Sequence, residues 1–135
     1  MRIVLDTNSL IQSVSPKSVY HDVWESVLDG RNTLCISNEI LEEYTEILQR
    51  LAGRYTEELV LNAIMKCKNV ILFTPHYHFN LIQADPDDNK FVDCAIQANA
   101  HYIVTNDHHY NVLREIQFPH VDVISLADFL KLIHS

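Results

Sequence analysis

Asp6 closes the apolar run Ile3-Val4-Leu5 and is followed by Thr7-Asn8, while Thr105-Asn106-Asp107 follows a second such run, Tyr102-Ile103-Val104. Between them, Ser37-Asn38 leads into a helical stretch carrying Glu39, Glu42, Glu43 and Glu46, and Asp85-Pro86-Asp87-Asp88 opens another. Each acid alone has an ordinary explanation. A carboxylate after a strand can cap the following turn, and Asp85, Pro86 and Asp87 fit an N-cap, a first-turn proline and an acid favoured by the helix dipole. Asp6, Glu43, Asp88 and Asp107 together are expected at one rim, and clustered carboxylates repel unless protonated or neutralised. Sites built wholly of oxygen suit Mg²⁺ or Mn²⁺, so the chemistry in view is that of a divalent cation.

Helical geometry sorts these acids. At ~100° per residue, Ile40, Leu41, Tyr44, Ile47, Leu48 and Leu51 form an apolar stripe with the spacing of a buried face. Glu42 and Glu46 point nearly opposite it, toward solvent. Glu43 sits at the stripe's edge, where its carboxylate reaches a cleft while its backbone stays packed. On the helix from Asp87, the residues Phe91, Val92, Ala95 and Asn99 share a face with Asp88 near its centre, and Asp93 falls on the other side. An unpaired charge on a packed face costs several kcal/mol; a bound cation resolves the conflict at Asp88.

The elements that must position these groups alternate along the chain. Short runs rich in β-branched residues, at Ile3 to Leu5, Thr33 to Ile36, Val70 to Phe73, Tyr102 to Val104 and Val121 to Ile124, read as strands. Segments at about 18–29, 38–52, 56–68, 87–100, 109–116 and 126–134 read as helices. The alternation predicts an α/β fold: one domain over 1–135, a central parallel sheet with helices on both faces and right-handed crossovers. Thr74 to Asp85 is expected as a surface loop or an extra short strand. In such sheets ligand chemistry gathers at the carboxyl ends of the strands, beside the switch in strand order, which is where Asp6 and Asp107 fall.

Composition excludes several alternatives. Gly30 and Gly53 are the only glycines among 135 residues, too few and too far apart for a phosphate-binding loop, a dinucleotide fingerprint or a nucleophile elbow. The longest apolar run, Val70-Ile71-Leu72-Phe73, is far short of the ~20 residues that span a bilayer, and Asp6 interrupts the N-terminal stretch a signal peptide would need. A cytoplasmic protein is expected, with no membrane association. Cys35, Cys67 and Cys94 are odd in number and widely spaced, which indicates neither a disulfide framework nor a zinc ribbon; all three are expected as buried thiols. His76-x-His78 and His108-His109 stand beside no cysteine and form no H-E-x-x-H, so they read as loop residues rather than metal ligands.

The chain resembles PIN-domain nucleases over essentially its whole length, in particular the bacterial members that are toxin components of toxin–antitoxin systems. The resemblance rests on Ile3 to Asn8, on Ser37 to Tyr44, on Asp85 to Phe91 with Ala95, and on Ile103 to Asp107, in that order and spacing. It implies a ribonuclease dependent on Mg²⁺ or Mn²⁺, with the family's acidic quartet falling on Asp6, Glu43, Asp88 and Asp107 as catalytic and metal-ligating residues. Asn8 and Thr105 fall where the family places polar residues that support the ligands. Where many members carry a further Asp, this sequence has His109. The implied chemistry is phosphodiester hydrolysis, the cation activating water and offsetting charge on the scissile phosphate. The implied partners are RNA, an antitoxin protein and a second copy in a homodimer.

Charge is the chief objection, since nucleic-acid binders are usually basic. The chain has 10 Lys and Arg against 18 Asp and Glu, a net −8, and remains acidic with the quartet set aside. Local cations must guide the substrate: Lys17, Lys90 and His109 are the candidates, with Arg50 and Arg54 clustered at one helix end. Weak, salt-sensitive binding of single-stranded RNA is expected, with Tyr20, Phe79 and Tyr110 as candidate stacking residues. Two rival readings differ in class. One is a catalytically weak RNA-binding module of the same fold; the other is a phosphatase of the haloacid-dehalogenase type, whose second Asp is replaced here by Asn8.

Overall fold

Ile3, Val4 and Leu5 are all fully buried, although alternate residues of a strand face opposite sides of a sheet. Their strand, β1 (Arg2–Leu5), must therefore be covered on both faces, and it lies at the centre of the computed structural model, which describes residues 1–135. The other strands are β2 (Thr33–Ile36), β3 (Val70–Leu72), β4 (Tyr102–Val104) and β5 (Val123–Ile124). All neighbours pair parallel, in the order β3-β2-β1-β4-β5. The chain builds outward from β1 to β3 and then crosses back to lay β4 on the other side of β1. The switch point thus lies between β1 and β4, whose register sets Leu5 beside Val104. Asp6 and Thr105 then leave the sheet side by side.

Five helices complete the α/β fold: α1 (Thr7–Val14), α2 (His21–Leu28), α3 (Asn38–Lys66), α4 (Asn89–Ala98) and α5 (Leu126–His134). Helix α3 is two helices in effect. Gly53 breaks it with φ 84° and ψ 166°, a left-handed φ that glycine adopts at little cost; the two expected helices on either side of Gly53 are both present. Ser37 caps α3 by accepting from the Ile40 N–H. The buried Tyr44 donates its hydroxyl to the Leu5 carbonyl, 2.5 Å away, which fixes the rotation of α3 against the end of β1.

Several expectations need correction. Residues 7–14 form α1, which the sequence pattern did not suggest because Asn8, Ser9, Gln12 and Ser13 dilute its apolar face. The expected helix at 109–116 is instead a 3₁₀ segment, His108–Glu115, and Pro86–Asp88 is a 3₁₀ turn preceding α4. Asn99 ends α4 in a left-handed conformation (φ 52°) and is exposed rather than packed. Asp93 is buried, not solvent-facing. The irregular stretch from Thr74 to Asp85 lies over it: the Phe79 N–H donates to Asp93 Oδ1 at 3.1 Å, and His78 Nδ1 lies 3.3 Å from Oδ2. Asn89 ties the same stretch by exchanging two 2.9 Å hydrogen bonds with the Ile82 backbone. Leu51, expected on the buried stripe, is exposed at the break of α3. Cys67 is only half-buried, whereas Cys35 and Cys94 are buried. No helix is long and apolar enough to cross a membrane.

Candidate active site

Asp6 ends β1 and caps α1. Its Oδ1 accepts from the Ser9 N–H at 2.8 Å, and its Oδ2 accepts from the Thr105 hydroxyl. Thr105 in turn accepts from the Asp107 N–H at 3.0 Å. One hydroxyl therefore couples the carboxyl ends of β1 and β4 and sets Asp6 and Asp107 together. Asp107 Oδ1 accepts from the His109 N–H at 2.9 Å, capping the 3₁₀ segment.

Glu43 enters from α3. Thr7 donates its hydroxyl to Glu43 Oε2, and Lys90 Nζ stands 2.8 Å from Oε1. Glu42 and Glu46 are exposed and take no part, as the helical projection requires. Asp88 comes from the turn before α4 and is half-buried.

All four carboxylates line one cleft of about 310 Å³, together with Asp85, Asp87, Thr7, Asn8, Arg50 and the apolar Ile47, Leu51 and Phe91. Six acids face a single guanidinium there, and the energetics show the conflict. Burial pushes the Asp6 carboxyl upward against the opposing hydrogen bonds from Thr105 and Ser9, with Asp107 adding to the rise. Burial, with Asp85 and Asp107 nearby, pushes Asp88 up to about 6. Asp88 Oδ2 is buried without a hydrogen-bond partner, and so is the hydroxyl of Tyr110, a fully buried residue. An unpaired buried carboxylate oxygen carries a large desolvation cost. Oxygen donors, excess negative charge and an orphaned carboxylate oxygen together fit a divalent cation.

The remaining candidates separate. Thr105 hydrogen-bonds Asp6 and the Asp107 backbone, but Asn8 is exposed and holds none of the four acids; its neighbour Thr7 does that for Glu43. Lys17 is exposed after α1 and does not line the cleft. Lys90 is committed to Glu43, and Arg54 is exposed beside Glu58, which leaves Arg50 as the basic group in the cleft. Tyr110 is fully buried and not available for stacking; Tyr20 packs on the core and Phe79 against Tyr77, with ring centroids 6.1 Å apart. His109 departs most from expectation. Donor atoms of Asp85, Asp88 and His109 lie within 4.8 Å of one another, which brings His109 and the capping residue Asp85 beside Asp88. The sequence signal for Asp85 was its spacing of three from Asp88, which a turn of helix or 3₁₀ brings to the same side.

A family model described as PIN domain matches residues 2–109. None of the curated proteins matches. Among solved structures, a chain of VapBC from Salmonella typhimurium, solved bound to DNA, superposes with a TM-score of 0.64 at 19% identity, covering 93% of this chain and 98% of that one. A chain of VapBC2 from Rickettsia felis, bound to a DNA fragment from its promoter, gives 0.63 at 19% identity with the same coverages. The PIN domain endonuclease Utp24 gives 0.53 at 19% identity, covering 92% of this chain and 84% of that one. The structural likeness at this identity speaks for the fold, and the family match extends from β1 through the turn after β4, the whole stretch that carries the acids; this chain belongs to the PIN-domain family.

Proposed function

We propose that the protein is a metal-dependent endoribonuclease that hydrolyses phosphodiester bonds of single-stranded RNA, and that it is the toxin of a toxin–antitoxin pair. The observation that carries this reading is the convergence of Asp6, Glu43, Asp88 and Asp107 on one cleft at the switch point of the sheet, with a buried carboxylate oxygen of Asp88 unpaired. Asp6, Asp88 and Asp107 are the residues that would hold Mg²⁺ or Mn²⁺, and Glu43 approaches from α3. Such a cation, when bound, supplies Lewis-acid charge for water activation and for the phosphate. The chain's own groups do the positioning. Thr105 orients the Asp6 carboxylate and the turn to Asp107, Thr7 and Lys90 hold Glu43 at the cleft edge, and Arg50 is placed to receive a phosphate oxygen.

The names of the structural relatives support the same reading. Utp24 is called an endonuclease, and the VapBC proteins are solved as complexes. A protein partner for this chain is supported by the apolar residues exposed around the Gly53 break, Leu51, Tyr55 and Leu59 at 62, 76 and 54%, where an amphipathic antitoxin helix has apolar surface to cover. Free thiols throughout suit a cytoplasmic setting.

The test is cleavage of structured and unstructured RNA by the purified chain in Mg²⁺ or Mn²⁺, beside an Asp6→Asn variant. Cleavage that stops in EDTA and in the variant is expected. Full turnover in chelator overturns the reading, and tight Mn²⁺ binding without cleavage makes the protein a binding module instead.

A further inference from the structure

We infer that a cavity beside the acidic cleft, walled by Leu81, Ile82, Gln83, Ala84, His109 and Val112, takes a purine base of the RNA strand whose phosphate the cleft receives. The cavity measures about 350 Å³, within the ~300–1,000 Å³ of small-molecule sites. No carboxylate lines it: four residues are apolar, and the polar ones are an amide and an imidazole. The cleft next to it carries six acids. A neutral, flat ring enters the cavity without the charge conflict of the cleft.

The 3₁₀ segment after β4 builds one wall through its period. At three residues per turn, side chains three apart lie above one another, so His109 and Val112 share one face while Tyr110 and Leu113 share another. Tyr110 and Leu113 are buried and anchor the segment, whereas Val112 stays 42% exposed. A base stacked on the imidazole covers the exposed valine as well. The other wall belongs to the stretch before α4. There Asn89 exchanges two 2.9 Å hydrogen bonds with the Ile82 backbone, and both residues are buried, so residues 81–84 are held to the start of α4, beside Asp88. Two links join cavity and cleft. Ala84 lines the cavity and the next residue, Asp85, lines the cleft. His109 lines the cavity, and its Nδ1 stands 3.3 Å from Asp107 Oδ1.

Charge gives the cavity its purpose. The chain carries a net −8 and Arg50 is the one basic group lining the cleft, so phosphate contacts supply little affinity. Stacking draws on the face of the base instead, and a purine offers more of it than a pyrimidine. Gln83 adds selectivity, because an amide that donates and accepts matches the N6 and N7 edge of adenine. The RNA as substrate rests on the nuclease reading; the fit of a base to the cavity does not.

The experiment has two arms. A diadenosine joined by a methylphosphonate is uncharged and resists hydrolysis, so titrating it into the isotope-labelled full chain in EDTA reads the cavity by nuclear magnetic resonance without metal or turnover. The Val112 methyl and Gln83 side-chain amide signals are expected to shift, and the diuridine analogue to bind about fivefold more weakly or worse. In Mn²⁺, abasic replacement of the nucleotides flanking the cut, one at a time, should cost about tenfold in kcat/KM at one position, through KM. Val112→Ser, at an exposed position that spares the core, should impose the same loss on intact RNA and none further on the abasic strand. Signals that ignore the diadenosine, or equal Val112→Ser losses on intact and abasic RNA, overturn the base pocket. Signals that move with protein concentration instead make the occupant a second copy of this chain and overturn it too. Shifts in a protein that cuts no RNA overturn the nuclease reading alone; cleavage without shifts overturns the pocket alone.

Discussion

Replacing Asp88 by Asn should stabilise the metal-free protein while disabling it. The carboxyl is raised from 3.8 to about 6 by burial and by the charges of Asp85, Asp107 and Asp6, so the folded state binds its proton more tightly than the unfolded chain does. Between these two values the folded state holds more protons, and stability therefore falls as pH rises through that window. The full shift corresponds to about 3 kcal/mol, and discounting for the solvent that reaches this half-buried group leaves about 1–2 kcal/mol. In EDTA, the Asn variant should exceed wild type by that amount above pH ~6, or ~3–8 °C in melting temperature, with the gap shrinking toward pH 4. Saturating Mn²⁺ should reverse the order, because wild type gains about 2.7 kcal/mol at a hundredfold excess over Kd. Urea denaturation at several pH values with and without Mn²⁺ measures both effects. An Asn variant that is less stable than wild type at neutral pH in EDTA, or a gap independent of pH, would refute the reasoning.

Three further expectations follow from the cleft. Glu43→Gln should greatly weaken metal-dependent cleavage while the fold persists, whereas Glu42→Gln and Glu46→Gln should shift stability by no more than about 0.5 kcal/mol and leave activity intact; equal losses in an RNA-cleavage assay would point to a diffuse field effect instead. If water attacks the phosphate, products carry 5′-phosphate and 3′-hydroxyl ends and a 2′-deoxy substitution at the cut is tolerated; end-labelling that finds a 2′,3′-cyclic phosphate would instead assign acid–base catalysis to His108 and His109. Lys90→Met removes a largely buried partner from Glu43, so it should cost about 1–2 kcal/mol of stability and tighten Mn²⁺ binding several-fold by calorimetry; weaker binding would mean that Lys90 serves chiefly to aim Glu43 at the ion.

The local period of the chain already contained the strands, most of the helices and the direction in which each acid of α3 points. Glu43 could be told from Glu42 and Glu46 because a helix converts spacing into angle, and that rule holds without a partner. Asp6 and Asp107 could be placed at the carboxyl ends of strands, and hence at the mouth of a parallel sheet, by alternation alone. What tertiary structure decided is which groups meet once those elements assemble. Thr105 reaches Asp6 across 99 residues and Thr7 reaches Glu43 across 36, and no periodicity records either pairing. Asp93 has the helical phase of a solvent residue, yet the Thr74 to Asp85 stretch folds over it and satisfies its carboxylate. Asp85 and His109 were explained locally as a cap and a loop residue, and only the approach of the two 3₁₀ segments made them neighbours. Spacing along a chain fixes the faces of an element, whereas the cover that each face receives depends on the packing of segments remote in sequence, and the charge balance of this cleft is set by that cover.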